Sequence, residues 1–279
     1  MRRDSIAKLM VGLVVAATAS ALAAQDSFTE RLTAHNARMN RWQPAMISPI
    51  ATTDPRLIQY ARFSVAHSYT PSGTETVNYG NARGGGLIVN NRLEIDWLPP
   101  DYVVHNSAAK DGPTDTSVLG KLRVASGNAE HGNYDVAVLV AHCFATGSYK
   151  NGAATDSFAP TLAAAKTMGR WDVVSALGGT MPTGKIATQG RTINWNALVQ
   201  WHATRHLWLE TENNATFYFA GSHDGRMQNF VTPGALYVVR NSEWASTHPF
   251  VIVDAGMQIA TSGFHTYNHN LIAETRLIF

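Results

Sequence analysis

The 279-residue chain carries 22 basic and 20 acidic side chains for a formal charge of +2, so no net electrostatic footprint points to nucleic acid. Charged residues make up only 15% of it, against about a quarter in an ordinary soluble domain. Cys143 is the single cysteine, which excludes an intrachain disulfide.

Arg2, Arg3 and Lys8 form a positive n-region, an apolar run follows from Leu9 to Val15, and Ala21-Leu22-Ala23 supplies a small-x-small site. Residues 1–23 are therefore expected to be a cleaved signal peptide, since the apolar stretch dissolves into Thr18 and Ser20 before it could span a bilayer. No later segment has an apolar run of the length a membrane helix needs. If the exported chain is embedded in a membrane, it must close into a β-barrel, the other structure that pairs every backbone polar group in lipid.

Residues 24–56 read as an N-terminal periplasmic linker or plug. Ser27-Phe28-Thr29-Glu30 has the form of a capping box and starts a short helix to about Asn40. Pro44, Pro49 and Pro55 then keep 43–56 irregular, and the pattern leaves open whether that stretch stays in the periplasm or tucks into a barrel.

From Leu57 to Phe279 the texture becomes short alternating runs separated by turn chemistry. Strands are expected near 57–69, 77–89, 92–98, 114–125, 134–145, 157–168, 171–181, 191–203, 207–220, 230–239, 248–259 and 268–279. That is about twelve, and bacterial barrels have even counts. Asn90-Asn91 and Gly169-Arg170 look like tight turns, while Pro99–Pro113, Thr146–Asp156 and Gly221–Asn229 look like long loops. In 191–203, for example, Ile193, Trp195, Ala197, Val199 and Trp201 share one face and Asn194, Asn196, Gln200 and His202 the other. A half-buried strand of a soluble sandwich alternates in the same way.

The chain end favours the barrel. Leu271, Ala273, Leu277 and Phe279 alternate against Asn270, Glu274 and Arg276, and Phe279 supplies the terminal aromatic residue expected to be read by the barrel assembly machinery. Trp171, Trp208, Tyr134, Phe230 and Tyr267 fall near strand ends, where interfacial girdles meet outer-membrane lipids. The fold class is therefore all-β: a transmembrane antiparallel up-and-down barrel in the outer membrane, with residues 57–279 forming the barrel and the last strand closing on the first.

Several motifs add a resemblance. Asp111-Gly112-Pro113-Thr114-Asp115 leading into S-V-L-G-K-L-R-V, N-R-L-E-I-D at 91–96, L-G-G-T-M-P-T-G at 177–184 and V-T-P-G-A-L-Y at 231–237 are turn-and-strand signatures. They resemble the outer-membrane transporter family labelled MetA-pathway of phenol degradation. The resemblance runs from about Leu57 to Phe279, and it implies a barrel of this size that passes small, hydrophobic or aromatic molecules.

If the apolar faces meet lipid, the opposite faces line the lumen. That assignment places Arg92, Glu94 and Asp96 inside, with Lys121, Arg123 and Lys166, then Asn194, Asn196, Glu210 and Glu212, and finally Asp254, Glu274 and Arg276. A Lys or Arg on the lipid face at mid-depth would cost about 2–4 kcal/mol. Lys121 and Arg123 are expected to find Glu210 and Glu212 as partners. Such a lattice serves either to select a small-molecule permeant or to hold together a structural or adhesive barrel.

An outer-membrane lipase or deacylase is the rival of another class. Ser222-His223-Asp224 cannot converge as a relay on an extended strand, because neighbours there point to opposite faces, and Asp224-Gly225 is a turn signal. His265 and His269 would share a strand face at spacing four but lack further ligands. Gly84-Gly85-Gly86 lacks the helix and lysine of a phosphate cradle and reads as a bend. No catalytic residue, metal site or cofactor is assigned.

Overall fold

The computed structural model describes residues 28, 30–239 and 250–279; the proposed signal peptide and the Ser27 cap lie outside them. A helix, α1, covers 30–40. The strands are β1 (Tyr60–Tyr69), β2 (Glu75–Asn90), β3 (Leu93–Leu98), β4 (Tyr102–His105), β5 (Gly112–Pro113), β6 (Thr116–Gly127) and β7 (Tyr134–Phe144). They continue with β8 (Ser157–Met168), β9 (Trp171–Pro182), β10 (Arg191–His202), β11 (Leu207–Phe219), β12 (Met227–Val238), β13 (Phe250–Ala260) and β14 (His269–Ile278).

Each strand pairs antiparallel with its neighbours, and β1 pairs with β2 on one side and β14 on the other, which closes the sheet. β4 continues the line of β3 along β2, and β5 continues β6, so the wall is a closed barrel of twelve staves. The closing seam runs in register from Tyr60↔Ile278 to Tyr69↔His269, as expected from the chain end.

Period-two side chains sort the two faces. In β9, Trp171, Val173 and Leu177 point out, while Asp172, Val174 and Ala176 point in and are buried. Outward positions form an apolar belt, with Leu87, Ile95, Leu122, Val140, Leu162, Val199, Met257 and Leu271 all exposed. Trp171, Trp201 and Tyr237 ring the rim with the short turns, and Tyr79, Tyr102, Phe144, Phe158, Phe217 and Phe219 ring the rim with the longer loops. Trp208, Phe230 and Tyr267 do not belong to these girdles. Trp208 and Phe230 are buried, and Tyr267 stacks on Phe230 with ring centroids 4.3 Å apart.

Two further departures have local causes. The first strand starts at Tyr60 rather than Leu57, because Arg56 to Gln59 are tied into the interior. The segment expected as a loop at 99–113 holds β4 and β5, which extend the wall past the break at Pro99-Pro100. The glycine triplet sits where β2 carries extra residues opposite β1. A Cβ on Gly84 would stand 2.2 Å from the Trp97 carbonyl oxygen and one on Gly85 2.8 Å from that of Tyr60, so close backbone approach requires both.

Candidate functional site

The interior holds the N-terminal segment. Helix α1 lies across the short-turn rim: the His35 Nε2 meets the Ile88 carbonyl at 3.0 Å, and the Gln59 amide donates to the Leu32 carbonyl at 2.7 Å. Residues 43–59 then enter the lumen as a hairpin that returns directly into β1. The prolines deprive this stretch of regular backbone partners, so side chains supply them. Gln43 clasps the two legs, donating to the Leu57 carbonyl at 2.9 Å and accepting from the Leu57 N–H at 3.1 Å.

At the tip, the backbone N–H of Ile50 donates to Glu210 at 3.1 Å, and that of Ala51 to Glu212 at 2.9 Å. The Thr52 hydroxyl donates to the other Glu212 oxygen at 2.7 Å. Arg276 donates to the carbonyls of Ser48 and Pro49, the second at 2.7 Å, while pairing with Asp254 at 3.2 Å and with its neighbour Glu274. On the opposite wall, Lys121 pairs with Glu94 at 2.8 Å and donates to the Arg56 carbonyl at 2.8 Å. The second Glu94 oxygen accepts from the Ile58 N–H. Charge-assisted hydrogen bonds of this kind contribute about 1.5–3 kcal/mol each when buried.

Within the hairpin, Arg56 pairs with Asp54 at 2.6 Å. Burial alone would raise the Asp54 pKa, but the Arg56 guanidinium, supported by the Lys121 charge, holds it at about 2.

Apolar contacts complete the seat. Met46 packs with Ala165, Val174 and Leu198 of β8, β9 and β10. Ile50 and Ile58 join inward residues of β11 to β14 that include Leu236, Ile252, Ile272 and Ile278. Ile50 fills a recess: its Cδ1 lies 2.5 Å from where a Gly234 Cβ would be and 3.0 Å from that of Gly256, and the two glycines are cross-strand partners.

The structure places Glu94, Asp96, Lys121, Arg123, Glu210, Glu212, Asp254, Glu274 and Arg276 on the inner face, all buried, with Asn194 and Asn196 half-buried on the same face of β10. Three expectations change. Arg92 lies exposed in the turn between β2 and β3, beyond the end of the wall. Lys166 points outward, because Ala163, Ala165 and Thr167 take the inner face of β8, and it reaches over the rim to the Gly132 carbonyl. Lys121 and Arg123 pair with Glu94 and Asp135, while Glu210 and Glu212 are occupied by the hairpin. Phe279 follows β14 at the short-turn rim, its N–H donating to the Gln59 carbonyl at 3.2 Å.

Sequence reasoning missed Asp135, Gln43, Arg56 and the apolar inner residues. One signal was legible: in strands whose lipid face was already assigned, Leu198, Ile252, Ile272 and Ile278 sit at inward positions and need an apolar partner inside.

Ser222 and His223 lie in a short 3-10 turn at Gly221–His223, and Asp224 accepts from the Ala220 N–H at 2.7 Å. The His223 ring packs on Tyr218 and Phe264. These contacts are turn chemistry. His265 lies in the loop before β14, bonded to the Ser262 carbonyl and to Asn268, and so does not share a strand with His269.

Two cavities flank the hairpin. One of about 540 Å³ lies between its tip and the upper wall, lined by Ser68, Asn78, Gln258, Tyr267 and Asn270 among others. The second, about 420 Å³, lies under α1 against β13 and β14 and is lined by Met46, Ile47, Phe250, Ile252 and Ile278 among others.

No protein-family model and no curated protein matches the chain. Among solved structures it is similar in fold to the NanC porin in a rhombohedral crystal form, at 8% identity and a TM-score of 0.50, over 78% of this chain and 98% of that one. The transport unit of the autotransporter AIDA-I from Escherichia coli also matches, at 11% identity and a TM-score of 0.40, over 90% of this chain and 98% of that one.

Proposed function

We propose that this chain is exported by residues 1–23 and inserted in the outer membrane, where it acts as a channel for small molecules with residues 43–59 as its plug. The observation that carries this reading is the pair of cavities on either side of a hairpin seated inside a closed barrel with an apolar outer belt. Outer-membrane lipids would meet that belt, and the assembly machinery would read the strand ending at Phe279. The resemblance of its turn motifs supports a hydrophobic or aromatic permeant.

A structural barrel is the second reading, favoured by the number of polar contacts that hold the hairpin in place. Reconstitution in liposomes separates the two. The purified protein should fractionate with outer membranes, migrate faster unboiled than boiled, and admit phenyl glucoside, a neutral solute too polar to cross lipid unaided. Exclusion of the solute by a correctly folded barrel would favour the structural reading.

A further inference from the structure

The two cavities share three lining residues: Ser48, Ile58 and Ile278. Ile58 is on the returning leg of the plug, and Ile278 is the last residue of β14. Both are buried, at 7% and 5% exposure, and both belong to one apolar cluster. Elsewhere around its perimeter the plug is fastened differently. Toward β11 its N–H groups are bonded to Glu210 and Glu212, and toward β3 and β6 the Glu94–Lys121 pair holds Ile58 N–H and the Arg56 carbonyl. Toward β8, β9 and β10 it is packed by Met46, and neither of these two cavities reaches those strands.

We infer that the cavities are the two ends of one route past the plug, and that Ile58 and Ile278, with Ser48, form its neck, a hydrophobic gate that passes small neutral molecules bearing apolar surface and rejects hydrated ions. The proposal rests on the channel reading and specifies its selectivity. At the neck the Ser48 hydroxyl is engaged by Arg56 and its carbonyl by Arg276, so an ion passing between Ile58 and Ile278 would shed its water with no free polar group to replace it. A solute with an apolar face loses little there. The chambers can take such a solute: the upper one offers amide and hydroxyl groups from Ser68, Asn78, Gln258 and Asn270 beside the ion-paired Lys121 and Arg276, and the one under α1 sets Met46, Phe250 and Ile252 against Asn36, Asn40 and Gln43. Arg276 sets the width of the neck, because it draws the Ser48 and Pro49 carbonyls toward β14 just before Ile278.

The test makes the neck polar and reads ions. Full-length wild type, Ile58→Thr, Ile278→Thr and Val174→Thr are compared for potassium chloride current in planar bilayers and for phenyl glucoside influx in liposomes, each confirmed folded by its heat-dependent gel shift. Wild type should admit the glucoside and carry little ionic current. Each neck variant should carry clearly more current, while Val174→Thr, the same kind of change where Met46 meets β9, should stay at the wild-type value. The neck variants sit on different elements, so misfolding of one leaves the other to decide. Glucoside influx with wild-type current in the neck variants would overturn the proposed route and leave the channel standing, and so would an equal rise in Val174→Thr. Absence of glucoside influx in every form would remove the channel reading and the neck with it.

Discussion

Gly234 and Gly256 face each other across β12 and β13, and the Ile50 side chain occupies the space their missing side chains leave. A Gly234→Ala methyl would force Ile50 to turn or the plug tip to lift, an overpacking cost of about 1–3 kcal/mol. Ile50→Ala alone leaves a void. The double substitution should therefore cost less than the sum of the two, and urea unfolding of all three variants measures that coupling. Strict additivity would show that the recess is not what receives Ile50. The Asp54–Arg56 pair adds a pH dependence. Because the Asp54 pKa is lowered from 3.8 to about 2 in the seated plug, its contribution is full above the ordinary value and is lost as pH falls through the lower one. A thiol at Thr53→Cys, with Cys143 replaced, should become reactive as pH drops across that window when sampled by brief exposure and assay at neutral pH. Asp54→Asn should remove that part of the response.

β14 shows best what alternation encodes. Asn270, Ile272, Glu274, Arg276 and Ile278 are buried while Leu271, Ala273 and Leu277 are exposed, the pattern the chain end displays letter by letter. Period-two chemistry is legible wherever the outer face is apolar and the inner face charged, because a single-residue slip would turn every charge outward. Lys166 escaped that logic since a long side chain near a rim reaches a carbonyl from the outer face. The seat of the plug, which the sequence leaves open between periplasm and lumen, was not legible for a different reason. Its partners lie some 30 to 230 residues away, as in the bonds from Ile58 to Glu94 and from Arg276 to Ser48, and no local period records them. β4 and β5 were hidden by Pro99-Pro100 ahead of β4 and by Pro113, which is itself half of the two-residue β5. At this scale we expect deletion of Phe279 to lower sharply the yield of heat-modifiable barrel, since it removes both the terminal ring and the N–H that ties the seam to Gln59. Phe279→Tyr should be nearly neutral. A normal gel shift for the deletion would separate closure from the last residue.

Taken whole, the molecule has a wall closed by backbone pairing and a filling held by side chains. The wall has no edge, so opening any stave breaks a whole ladder of N–H and C=O pairs at once, and in the proposed lipid setting each exposed group costs several kcal/mol. The hairpin has no such constraint: its contacts are discrete ion pairs, carbonyl bonds and apolar packing, each removable alone. Stability should therefore be unequal, with the plug releasing below the denaturant concentration that opens the sheet. Hydrogen exchange resolves the two, and a single cooperative loss of protection over both would contradict it.

The hairpin begins and ends at the same mouth. α1 lies across the short-turn rim, and Gln59 meets Phe279 there before β1 starts, so the segment is inserted like a cork on a string and never threads the ring. Nothing in its topology makes withdrawal irreversible. Under a steady pull on the N-terminus the plug should come away in one early rupture and release about 60 Å of extended chain. The twelve staves should remain standing, and relaxation of the load should let the cork find its seat again.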